Sequence, residues 1–197
     1  MRIQLISFSL ITIITIISCG EPTAPETQLQ PSPDSTQFFT TGLFFEEQVN
    51  QVILLRKPIY VYRTMNGMKD SAVLDSMQFI QLAQEFITKD ISNVRDKKNY
   101  RETVFQDAGT NSYTLNYTAV NREVRVQGVD ILLDEQTNQV KRIFIRSFTQ
   151  RGDTSIQEQH NWRAFKGFQI NRSLSTGNGY HRQELTEVKW GSTSDDE

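Results

Sequence analysis

A chain of 197 residues with 21 Lys+Arg against 23 Asp+Glu carries a formal net charge of −2, so no strong field of either sign draws it to nucleic acid. Its single cysteine, Cys19, excludes an internal disulfide, and with two histidines and no CxxC pair or His/Cys cluster the sequence suggests neither a metal nor a cofactor. The length suits one domain of ordinary size with a real core.

Residues 1–18 read as a secretory leader: Arg2 supplies the positive start and Leu5 to Ile17 the apolar run. The run is too short for a transmembrane helix, which needs about 20 apolar residues. It stops at Ile16-Ile17-Ser18-Cys19, followed by Gly20. Those four residues resemble a bacterial lipobox: aliphatic, aliphatic, small, then cysteine. The resemblance implies cleavage before Cys19, which becomes a thioether-linked and N-acylated membrane anchor. One acyl chain binds a bilayer only marginally, whereas two or three hold for good. Gly20 stands where an aspartate would, by the enterobacterial sorting rule, retain a lipoprotein at the inner membrane. The resemblance therefore implies an outer-membrane lipoprotein, facing the periplasm or the outside.

Residues 19–41 combine the cysteine with Pro22, Pro25, Pro31 and Pro33 among Thr, Ser, Gln and Glu. That composition has too little apolar surface to order itself and predicts a flexible tether. Residues 42–191 are expected to form a single α+β domain, and 192–197 an acidic tail. In "LFFEEQVNQVILLRK" Phe45, Val49, Val52 and Ile53 share one helical stripe, and Pro58 ends the helix. Ile59 to Met65 reads as a strand closed by an Asn66-Gly67 turn. A second helix follows, with Asp75 and Gln78 at capping-box spacing and Phe79, Leu82, Ala83, Phe86 and Ile87 on one face. Asp70, Asp75 and Asp90, which flank it, are explained by capping or solvation.

From Tyr100 onward, alternating runs separated by turn residues predict a six- to seven-stranded antiparallel meander. The alternation changes phase between Val126 and Val129, and a bulge at Gly128 accounts for the slip. The expected fold is thus α+β: two N-terminal amphipathic helices packed on that sheet. Arg151-Gly152-Asp153 reads as ordinary hairpin chemistry.

No catalytic constellation is legible. His160 falls on a predicted strand with Glu158 and Trp162 in the same phase, His181 lies near Arg182 and Glu184, and both histidines are expected to face water. The chain contains no GxSxG, Walker loop, HExxH or GxGxxG. In "QVKRIFIRSF", Val140, Arg142, Phe144, Arg146 and Phe148 share one face, whereas Ile143 and Ile145 point the other way. Two readings stay open. One is a central strand whose Arg stems pack over aromatic rings. The other is a ligand-facing surface, Arg142, Phe144, Arg146 and Phe148, where arginines meet an anionic group and phenylalanines a chain or ring.

The whole chain also resembles the small uncharacterised lipoproteins abundant in Bacteroidetes-type bacteria, in which a lipobox precedes a Pro/Thr/Glu-rich tether and an α+β body. The expected function is a membrane-anchored, non-enzymatic binding module of the cell envelope, with an envelope protein, a glycan or a lipid as partner. The alternative is a lipid or lipoprotein carrier that holds an acyl chain between the helices and a curved sheet.

Overall fold

The computed structural model describes residues 38–191. The leader, Cys19, the tether up to residue 37 and the tail lie outside the described residues. In chain order the elements are α1 (Thr41–Leu55), β1 (Ile59–Met65), β2 (Met68–Leu74), α2 (Ser76–Ile87), the one-turn α3 (Val94–Lys97), β3 (Tyr100–Asp107), β4 (Ser112–Ala119), β5 (Val126–Asp134), β6 (Val140–Arg151), β7 (Thr154–Arg163), β8 (Gly167–Thr176) and β9 (His181–Trp190).

The strands form one antiparallel sheet in the order β2-β1-β9-β8-β7-β6-β5-β4-β3. Seven of the nine strands follow Tyr100, and the β1–β2 hairpin adds the other two. Strand β2 carries no apolar alternation and is exposed along all but its last residue. Strand β1 was expected from the sequence; β2 was not, because an edge strand of that kind gives no periodic signal, and the sheet is accordingly larger than the six to seven strands expected.

Topology dictates where the helices go. Strands β2 and β3 lie at opposite edges, so the chain between them must cross the sheet. At about 4.8 Å per strand, the width to be crossed is about 38 Å. Helix α2 makes part of that crossing on the face that α1 also covers. Its N-terminus is fixed by a reciprocal capping box: the Asp75 side chain accepts from Gln78 N–H, and the Gln78 side chain accepts from Asp75 N–H. Thr41 Oγ1 donates to Asp90 Oδ1 at 3.0 Å, tying the start of α1 to the end of α2.

The core lies between these helices and the sheet and is largely aromatic. Phe86 meets Trp162 at 5.0 Å between ring centroids and Phe168 at 5.0 Å; Phe45 meets Trp162 at 5.2 Å, and Phe79 meets Trp190 at 5.7 Å. Ile143, Ile145, Val129 and Ile131 continue this layer under the helices. Hairpin chemistry sets the register. Asn66 and Gly67, both at positive φ, close β1 onto β2 with Met65 opposite Met68. Gly152 and Asp153 close β6 onto β7, so Arg-Gly-Asp is a turn. The register slips between Val126 and Gly128, and at Gly128 an added Cβ would collide with the Arg146 guanidinium.

Candidate functional site

Two polar assemblies lie on the two faces of this sheet, and they differ in kind. The first is buried under α2. Glu158 on β7 is 6% exposed and accepts on Oε2 from Ser147 Oγ at 2.9 Å and Arg125 at 3.2 Å, with Lys89 Nζ at 3.5 Å. Its Oε1 accepts from Arg172 Nε at 2.9 Å, and Arg172 reaches on to Glu85 at 2.6 Å. Burial alone would raise the Glu158 carboxyl, but Lys89, Arg172 and Ser147 outweigh it and bring the pKa down to about 2. Lys89 is fully buried at the end of α2, and its Nζ also donates to the Glu85 carbonyl at 3.0 Å.

His160 is at the centre of this assembly and fully buried, with its ring edge-on to Phe86 at 5.0 Å. Its Nε2 lies 3.6 Å from Glu85 Oε2, too far for a good hydrogen bond, and neither ring nitrogen has a hydrogen-bond partner among the described residues. Desolvation depresses its pKa, so the ring is neutral at pH 7. The expectation that His160 faces water is corrected here: β7 alternates as expected, but the face carrying Glu158, His160 and Trp162 is the covered one. Trp162, in the same phase, was the available signal.

Glu85, Glu158 and His160 bring one ligand atom each within 4.8 Å of one another. Their chemistry does not fit a metal centre. Arg172, Lys89 and Arg125 already neutralise both carboxylates, and a divalent cation would have to displace them and stand beside three positive charges. The assembly is an ion network that clamps α2 to β7 and β8. His181, by contrast, is exposed and contacts Ser175 Oγ through Nδ1 at 2.9 Å.

The second assembly is on the opposite face, which no helix covers among the described residues. Strand β6 lies between β5 and β7, with Ile143 and Ile145 fully buried under the helices and Arg142, Phe144, Arg146 and Phe148 on the opposite side. Arg142 and Arg146 are exposed, with Phe144 half-buried between them and Phe148 half-buried beyond Arg146. Arg142 donates through Nε to Asn161 Oδ1 at 2.6 Å, and its guanidinium lies 5.8 Å from the Phe144 ring centroid. Arg146 is 3.6 Å from Asp130, which Asn116 also engages.

Arg142 belongs to two adjoining clefts. One, of about 260 Å³, runs across the open face between Thr114, Asp130, Leu132, Arg142 and Phe144. The other, of about 620 Å³, turns round the strand ends between the β5–β6 and β7–β8 loops; Val140, Arg142, Arg163, Phe165 and Lys166 line it. Phe165 is 62% exposed and holds a left-handed backbone conformation, φ 62°, which is unfavourable for a bulky residue. Its amide donates to Gln48 Oε1 of α1 at 3.0 Å, which fixes the loop. The structure thus brings Arg142 and Phe144 together in an open cleft and pairs Arg146 with an acid, while Phe148 lines neither cleft. Arg163, Phe165 and Lys166 were missed from sequence because they become neighbours of Arg142 only through the β6–β7 register.

Comparison with known proteins supplies no relative: no family model matches the chain, and no curated protein or solved structure matches it either. Among the described residues, no helix is long and apolar enough to cross a membrane.

Proposed function

We propose that this protein is an acyl-anchored lipoprotein of the outer membrane whose body is a non-enzymatic binding module. The uncovered sheet face around Arg142 is its binding surface. The anchor rests on Ile16-Ile17-Ser18-Cys19 and the proline-rich tether. The binding role rests on one observation above others: an exposed arginine, stacked against a half-buried phenylalanine, is shared by two adjoining open clefts. Clefts that combine apolar walls with a few convergent polar groups are the usual form of a ligand site.

The carrier alternative has less support. An acyl chain lying between helices and sheet needs room there, and rings from both helices and three strands, with centroids 5–6 Å apart, occupy that space. Two helices over one face, and a second face that is bare among the described residues, fit a module that binds on its outside.

The test is photocrosslinking in cells. A crosslinkable residue at Phe144 should capture a partner in the wild-type background and lose it in Arg142→Glu, while one at exposed Asn50 on α1 should capture nothing. Cys19→Ser should move the protein from the membrane to the soluble fraction. Equal capture with and without Arg142→Glu, or membrane retention of Cys19→Ser, contradicts the proposal.

A further inference from the structure

Arg142 on β6 and Arg163 on β7 are directly opposite one another in the sheet register, on the uncovered face. Directly paired residues hold their Cβ atoms about 4.5–5.5 Å apart, and like charges placed so repel. Natural sheets avoid this pairing or insert a carboxylate. Here none intervenes: among the described residues neither Arg142 nor Arg163 forms an ion pair, and Lys166, at the β7–β8 turn, forms none either. Each of the other arginines on the sheet's inner clamp is matched by an acid, Arg125 by Glu158 and Arg172 by Glu85, Glu158 and Glu184. The strand-end cleft contains one carboxylate, Asp134, and Lys141 takes it at 2.9 Å. Three unpaired cations therefore converge on one open cleft.

A local rule broken without compensation among the described residues points to a compensating group bound there. Two guanidinium forks and an ammonium suit an oxyanion that can accept several charge-assisted hydrogen bonds at once. Val140 and Phe165 form the apolar part of the same wall, and Phe144 lies next to Arg142 in the adjoining cleft. We propose that Arg142, Arg163 and Lys166 form a binding site for a phosphoryl group, carried by a ligand whose apolar or ring portion lies along Phe165 or Phe144. This rests on the reading of the open face as the binding surface and names the chemistry of what it takes.

The experiment is a thermal-shift and calorimetric titration of the full-length, detergent-extracted protein at constant ionic strength. One arm uses sodium pyrophosphate, and the other uses monomeric short-chain phosphatidic acid. At about five times Kd, linkage raises Tm by about 2–4 °C for a chain of this size. Arg163→Gln should abolish that rise while leaving the ligand-free Tm equal to or above wild type, because a repulsive pair has been removed. Arg163→Lys keeps the charge but loses the fork and should bind about tenfold more weakly. A response confined to the lipid arm identifies a headgroup as the source, and equal responses identify the free phosphate. No Tm rise in either arm, or an equal rise in Arg163→Gln, overturns the proposal. Should Arg163→Gln fail to fold, Arg142→Gln supplies the same comparison. Loss of the phosphate response with the Phe144 crosslink intact removes the phosphoryl site alone, and loss of both removes the binding surface.

Discussion

Replacing Glu158 by Gln keeps the volume of the side chain and removes its charge from the centre of the buried network. Lys89, fully buried at the end of α2, then lies 3.5 Å from a neutral amide. The fall of the Glu158 pKa from the ordinary 4.5 to about 2, at about 1.4 kcal/mol per pH unit, corresponds to about 3 kcal/mol. Solvent reaching exposed Arg125 and half-buried Arg172 screens part of this, and stranding a buried charge adds to it. The expected loss is about 2–4 kcal/mol in urea unfolding at pH 7. Lys89→Met alone leaves Glu158 with its two arginines and should cost less. The double variant should recover more than half of the Glu158→Gln loss, because the stranded ammonium is gone. A Glu158→Gln loss below about 1 kcal/mol, or strict additivity of the two substitutions, would refute the view of this network as a clamp.

The same network predicts acid sensitivity. Glu158 is depressed on folding, so its stabilisation is complete above about pH 4.5 and fades as the pH falls toward 2. His160 is also depressed, so charging it opposes the fold once the pH drops below about 6.5, and the urea midpoint should fall progressively from pH 7 to pH 3. Phe86→Ala empties the ring stack between α2 and the sheet and should cost about 3–5 kcal/mol, read by the same unfolding assay. Phe165→Gly relieves a left-handed backbone at an exposed position and should raise stability by up to about 1 kcal/mol while weakening ligand capture. Arg142→Glu should leave the circular dichroism spectrum unchanged, because the side chain is exposed and faces Arg163.

The sheet from Tyr100 onward was legible because turn residues punctuate it at strand-length intervals and its central strands, β6 and β7, bury alternate residues. The Gly128 slip was legible because a phase change in alternation has few other causes. Strand β2 was not, since a solvated edge needs no apolar pattern. The burial of His160 and Glu158 was missed for a different reason. Alternation assigns residues to two faces but does not say which face is covered; that was decided by α2, which covers this face, and by Lys89 just beyond its end, which with Arg172 supplies the positive charge that lets the Glu158 carboxylate go inside. Arg142 and Phe144 could be chosen from one strand's pattern. Arg163 could not, because its pairing with Arg142 is a property of register between strands.

The most direct test of a ligand-binding, lipid-anchored module is native mass spectrometry of the full-length protein gently extracted from membranes, wild type beside Arg142→Glu. Both should show a mature chain beginning at acylated Cys19, with a stoichiometric ligand on the wild type that is missing from the variant. A chain without acyl mass, or the same ligand at the same occupancy in Arg142→Glu, contradicts it.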